Sequence, residues 1–267
     1  MNKKLIYYWY VPTEWDKVYD LHLKNIKRYF PHYDFKEKLF VICYDKGDYT
    51  VSPYVLKTVE KIRGVVPDAK FVFYDNDPVL REAKHFYNEI AMKLGEFDKD
   101  DVIFYAHAKG KYSDYRTPDV RDLWVDLMYF GNLYNTDKIE EFINNQENLC
   151  LGTLCLDTHR WKEVGAKLND EFKVQRYQWH YSGTFFWIKP YQLYEYITQN
   201  NTPIPENSRF FAECFLGNLV PFGGDKMIQT YGPFNGDYVK FINNMPEKDR
   251  IDFIKAHQTL TYNFQPK

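Results

Sequence analysis

Short apolar runs alternate with helical patterns along this chain, and that alternation constrains its fold more than any other feature. Leu5–Val11 reads as a first strand, followed by a helix that Thr13 caps and whose apolar face carries Trp15, Val18, Tyr19, Leu23, Ile26 and Phe30. Lys38–Tyr44 and Lys70–Tyr74 are the second and third strands. Asp77 is then an N-cap and Pro78 a first-turn residue of a helix predicted to reach Leu94, with Val79, Ala83, Phe86, Ile90 and Leu94 along one face. Asp101–Ala106 is an unbroken apolar run, the pattern of a strand covered on both sides. Helices follow from Thr117 and Pro118 to a stop at Gly131, over Thr136–Asn145, from Pro190 to about Ile197, and from Arg209 to about Leu219 behind a Ser208 cap. Leu149–Leu156 and Gly183–Ile188 complete the strands, and the Pro-containing stretch 200–208 reads as a loop.

Strands and helices in this order imply an α/β fold, a mainly parallel twisted sheet with helices on both faces. The 267 residues suit one domain, 1–267, with a nucleotide-binding half (1–115) fused to an acceptor-binding half (116–267). Open sheets of this kind bind ligands beyond the carboxyl ends of their strands, so the chemistry is expected there. No G-x-G-x-x-G follows the first strand, which argues against a dehydrogenase or methyltransferase of the Rossmann kind.

The formal net charge of −2 argues against a nucleic-acid partner, whose usual footprint is a strong basic excess. Cys43, Cys150, Cys155 and Cys214 have no C-x-x-C spacing, so a zinc site or disulfide framework is not expected. The first apolar run ends at Pro12, too short for a signal peptide, and no stretch has the roughly 20 apolar residues of a membrane span. A cytoplasmic protein is the expectation. The 24 Tyr, 21 Phe and 6 Trp would suit stacking on sugars and bases, although core packing uses the same residues.

The most informative segment is Asp101–Lys111, DVIFYAHAKGK, where a buried strand ends and at once presents His107, Lys109, Gly110 and Lys111. A lysine there supplies a point charge for a phosphate, His107 can donate a hydrogen bond, and Gly110 lets the backbone approach a ligand. In Trp179-His180-Tyr181-Ser182-Gly183 the two rings could form an acceptor platform or pack in the core. His180 could donate to a diphosphate or an acceptor hydroxyl, and Gly183 permits close backbone approach. Glu213 lies beside Phe210, Phe211, Cys214 and Phe215, where an apolar border would raise its pKa and suit a general base. An i, i+4 ion pair with Arg209 is its alternative role. Asp75-Asn76-Asp77 spells Asp-x-Asp after a strand and could hold a metal, but capping by Asp77 also accounts for it.

Together FYAHAKG (Phe104–Gly110), HYSGTFFW (His180–Trp187), RFFAE (Arg209–Glu213) and the upstream YDNDPVLREA (Tyr74–Ala83) resemble bacterial and viral glycosyltransferases of the GT-A type near polysaccharide and rhamnan synthesis. The resemblance runs in order over roughly residues 1–220. It implies a GT-A-like fold, a nucleotide-sugar donor and a glycan acceptor. It places the donor around Tyr8, Tyr10 and Asn76, the diphosphate at His107 and Lys109, the acceptor over Trp179–Tyr181, and a base at Glu213. Ordinary GT-A enzymes end the matching strand in Asp-x-Asp, which holds a cation against the diphosphate. His107-Ala108-Lys109 reverses that charge, so transfer is expected to run without Mn²⁺ or Mg²⁺ and no metal ligand is assigned. Removing one such stabilising group commonly costs on the order of 10²–10³ in rate. A carbohydrate-binding protein that keeps the fold and lacks catalysis is the rival expectation.

Overall fold

The computed structural model describes residues 1–11, 15, 17–45, 52–108, 118–157, 179–207, 211–223 and 225–230, with a few positions between 246 and 256. The first half is β1 (Asn2–Tyr10), α1 (Lys17–Tyr29), β2 (Phe35–Tyr44), α2 (Pro53–Arg63), β3 (Lys70–Asp75), α3 (Glu82–Glu89) and β4 (Asp101–His107). Then come α4 (Pro118–Leu133), α5 (Thr136–Asn144), β5 (Cys150–Gly152), β6 (Cys155–Asp157), β7 (Trp179–Tyr181) and β8 (Phe186–Ile188). The described elements close with α6 (Pro190–Gln199), α7 (Phe211–Leu219) and β9 (Met227–Gln229).

Seven strands form one sheet in the order β3-β2-β1-β4-β8-β5-β9. Neighbours from β3 to β4 are parallel, β8 runs antiparallel to β4 and β5, and β5 is parallel to β9. β6 and β7 pair antiparallel as a separate ribbon. This is the expected α/β class. Side chains alternate across a strand, and here each side meets its own helices. Leu5, Tyr7 and Trp9 of β1 join Phe40, Ile42, Phe104 and Ala106 in a core with residues of α1, α2, α4 and α5. Ile6, Tyr8, Val41, Cys43, Ile103 and Tyr105 join residues of α3, α6 and α7 on the other face. Every residue of β4 is buried, the reason its sequence carries no polar alternation. Among the described residues no helix is long and apolar enough to cross a membrane.

Four expectations are corrected. The helix predicted from Pro78 to Leu94 is broken: a turn occupies 78–81, α3 follows, and a 3₁₀ segment runs Ala91–Glu96. Asp77 does cap, its Oδ1 accepting from the Val79 and Leu80 amides at 2.9 Å each, but Arg81 at φ 51° interrupts the chain before α3, and Val79 is exposed. Gly131 does not stop α4; it lies inside the helix, where a Cβ would sit 2.2 Å from Thr153 Oγ1. Leu149–Leu156 is two strands because Leu154 takes φ 50° between β5 and β6. Gly183–Ile188 begins as a 3₁₀ turn over Ser182–Thr184, and only Phe186–Ile188 is strand. α2 was not anticipated, though Ser52 accepts from Val55 N and Val55, Thr58, Val59 and Ile62 make a buried helical face. Thr13, Ser208 and Arg209 lie outside the described residues.

A buried polar triangle ties β1 to both helices above it. Tyr7 Oη lies 2.6 Å from Tyr129 Oη and 3.0 Å from His22 Nδ1, and the last two are 2.9 Å apart. Tyr129→Phe removes one corner and leaves Tyr7 and His22 able to pair, so a loss of about 1 kcal/mol is expected. Urea unfolding measures it; a loss beyond about 3 kcal/mol would mean that the remaining pair does not form.

Candidate functional site

Four adjacent parallel strands deliver their carboxyl ends to one edge, and the polar residues there are tied to one another. Asp45, the exposed residue just after β2, accepts from Tyr10 Oη at 2.8 Å on one oxygen and from Asn76 Nδ2 at 2.9 Å on the other. Asn76 follows β3, and its amide donates to Tyr44 O at 2.7 Å, which fixes the exits of β2 and β3 against each other. Tyr10 and Asn76, both expected from sequence, are thus joined by a carboxylate that was not expected. A carboxylate oxygen accepts more than one hydrogen bond, so Asp45 keeps acceptor capacity toward solvent.

Tyr8 pairs in register with His107 across β1 and β4, and the Ala108 amide donates to Tyr8 O at 2.9 Å. Tyr8 itself is buried, and burial first, then neighbouring Cys43 and Tyr105, holds its phenol well above the usual range. It is a neutral wall of the site. Burial likewise pushes the Cys43 thiol up to about 11, so it is no thiolate nucleophile.

His107 ends β4 with 3% exposure and contacts Glu82 Oε2 through Nδ1. Its ring also meets Phe185 edge-on at 6.1 Å. Glu82 opens α3, directly after the strained Arg81. Sequence reasoning missed Glu82 and Asp45. Asp45 had a signal, since it is the first residue beyond the carboxyl end of the parallel strand β2; Glu82 had none, because its approach depends on the 78–81 turn.

Asp75-Asn76-Asp77 is committed to structure in two of its three members. Asp77 binds two backbone amides and lies 3.5 Å from Lys84 Nζ, and the Leu80 and Val79 N–H groups hold its carboxyl below the usual range. Asn76 holds Asp45. Among the described residues no group of three or more His, Cys, Asp or Glu side chains is arranged to hold a metal.

The HYSG segment departs from the expected acceptor platform. Trp179 is 0% and Tyr181 2% exposed, because each ring packs inward and its polar tip finds a backbone carbonyl. Trp179 Nε1 donates to Val220 O and Tyr181 Oη to Ile228 O, each at 2.7 Å. The partly exposed residue of β7 is His180. Gly183 takes φ 77°, and a Cβ there would meet the Trp124 ring at 2.7 Å, so its close approach is to α4. Glu213 is half-buried in the first turn of α7, one turn before Gly217, which touches the Trp179 backbone of β7. Lys109, Gly110 and Lys111 lie outside the described residues.

No family model and no curated protein matches this chain. One solved structure similar to it is that of 4-diphosphocytidyl-2C-methyl-D-erythritol synthase, 11% identical, with 96% of this chain and 99% of that chain covered and a TM-score of 0.40. At that distance the α/β class rests on the sheet itself, and any functional reading rests on the residues of the site.

Proposed function

We propose that this chain is a glycosyltransferase that moves a sugar from a nucleotide-diphosphate donor to a glycan or other hydroxyl acceptor without a divalent metal. The observation that carries the reading is the edge where β1 to β4 end. A hydrogen-bonded Tyr10–Asp45–Asn76 cluster lies at one side and a carboxylate-bound histidine ends β4 at the other, which supports the expectation that this strand carries no carboxylate pair for a metal. The nucleoside lies against Tyr8, Tyr10, Asp45 and Asn76, with Asp45 accepting from its N–H or O–H groups. His107 and Lys109 meet the diphosphate, and Gly110 lets the backbone close on it.

The acceptor approaches by His180. In an inverting reaction Glu213 takes the proton of the acceptor hydroxyl, whose oxygen bonds to the anomeric carbon as the bond to the diphosphate breaks. The negative charge that collects on the departing diphosphate is what a fixed cation or N–H donor stabilises. Retention of configuration would need no such base.

The test is a thermal-shift screen of UDP-, GDP-, CMP- and dTDP-sugars with and without Mn²⁺, followed by assay of nucleotide release. One nucleotide class is expected to stabilise the fold by about 2.7 kcal/mol at a hundredfold excess over Kd, with no further gain from Mn²⁺. Activity lost to a chelator and restored by Mn²⁺ would remove the metal-free clause. Sugar binding with no nucleotide released from any donor would point to the non-catalytic rival.

A further inference from the structure

The Glu82–His107 contact joins the start of α3 to the end of β4, which the sheet alone does not hold together. His107 is fixed at the end of β4, whereas Glu82 stands six residues beyond Asn76 on the far side of a turn. That turn is locked. Asp77 Oδ1 accepts from the Val79 and Leu80 amides, the Arg81 amide donates to Asp77 O at 2.8 Å, and Arg81 is forced to φ 51° and ψ −129°. A non-glycine residue in that region costs on the order of 1–3 kcal/mol and persists only where its surroundings impose it. The residue delivered by the strained position is Glu82, with its side chain mostly buried against His107 Nδ1.

We propose that Glu82 is a positioning residue for His107: it accepts the Nδ1–H, fixes the ring's orientation and tautomer, and so leaves Nε2 as the nitrogen that takes up a proton to meet the diphosphate. When the ring is protonated, Nε2–H donates to a phosphate oxygen and the Glu82 carboxylate offsets the imidazolium charge. A carboxylate behind a histidine is a general device for setting which nitrogen carries the proton. The catalytic part of this inference rests on the glycosyl-transfer reading, whereas the tautomer does not.

Two measurements test it on the full-length protein. With ¹⁵N-labelled histidine, long-range ¹H–¹⁵N spectra of the seven rings report which nitrogen is protonated, and the signal lost in His107→Ala identifies His107. The wild type is expected to show Nδ1–H, and Glu82→Ala to shift His107 toward Nε2–H. A wild-type Nε2–H tautomer, or an unchanged His107 spectrum in Glu82→Ala, would overturn the proposal. In turnover of the donor selected by the thermal screen, Glu82→Ala should lower kcat about 10- to 100-fold. KM should move far less, and Glu82→Gln, which keeps an acceptor, should recover part of the loss. The double variant should be no slower than His107→Ala alone, because the two residues act as a unit. Additive losses, or a slow His107→Ala beside an unimpaired Glu82→Ala, would refute the coupling while leaving glycosyl transfer intact. Should the wild type bind and turn over no nucleotide sugar, the functional reading fails, and the spectra still decide the Glu82–His107 pairing.

Discussion

Gly217→Ala is expected to destabilise the protein by at least about 3 kcal/mol, although alanine is the better helix former by about 1 kcal/mol. The two effects oppose each other, and geometry decides between them. A Cβ at position 217 would lie 1.6 Å from Trp179 O, 2.6 Å from its carbonyl carbon and 2.9 Å from its amide nitrogen. All three are backbone atoms of β7, so no side chain can swing aside. Either α7 lifts or β7 moves, and lifting α7 stretches the bond from Trp179 Nε1 to Val220 O as well. Gly95→Ala is the contrasting control, since its Cβ would meet the half-exposed Tyr194 ring at 3.2 Å, a side chain that can give way. Urea denaturation of both variants measures the difference. A Gly217→Ala protein as stable as the wild type would show that α7 does not pack on β7 this closely. Because α7 also carries Glu213, the same variant should lose donor turnover.

The parts of the molecule legible in the sequence are those whose signal is local. Strands β1, β2 and β4 were visible because burial on two faces leaves an apolar run, and α1 because Val18, Tyr19, Leu23 and Ile26 recur at helical spacing. Errors arose where a tertiary contact overrides a local cue. Gly131 looked like a helix stop, yet its missing side chain makes room for Thr153. Pro78 looked like a helix start, yet Asp77 caps a turn that ends at Arg81. An aromatic side chain such as Trp179 reads the same whether it lines a cleft or fills a core, and only the carbonyl of Val220 behind its Nε1 settles which. Within the candidate site, the strand-end rule pointed to His107 and the resemblance to Tyr8, Tyr10 and Asn76, and all four lie at the carboxyl ends of β1, β3 and β4. Asp45, directly beyond the end of β2, obeys the same rule. Glu82 could not be found that way, since it opens a helix and reaches His107, 25 positions later, only by way of the 78–81 turn.

Stability is expected to fall as pH drops from about 6.5 toward 4, with His85 as the main titrating cause in that window. His85 lies in α3 with 4% exposure, edge-on to Tyr74 at 4.9 Å, and its Nδ1 has no hydrogen-bond partner among the described residues. Burial lowers its pKa from 6.5 to about 4; Glu89 opposes that shift and Lys93 adds to it. Because the folded value lies below the unfolded one, the unfolded chain binds the extra proton throughout this interval. The contribution is therefore complete above the unfolded pKa, declines by about 1.4 kcal/mol per pH unit below it, and stops changing once both states are protonated. The total is about 3 kcal/mol, a large share of the stability of an ordinary domain. Asp77 and Glu89, whose folded pKa values are lowered, add acid sensitivity at lower pH, while Asp126, raised by burial, works in the opposite sense. His85→Leu keeps an apolar group of similar size against Tyr74 and removes the titration. Urea unfolding of wild type and variant between pH 4.5 and pH 7 should give a sloping stability for the first and a much flatter one for the second. Parallel slopes would mean that the α3 histidine is hydrated or paired in solution, and that the packing of α3 on β3 is looser than its buried face implies.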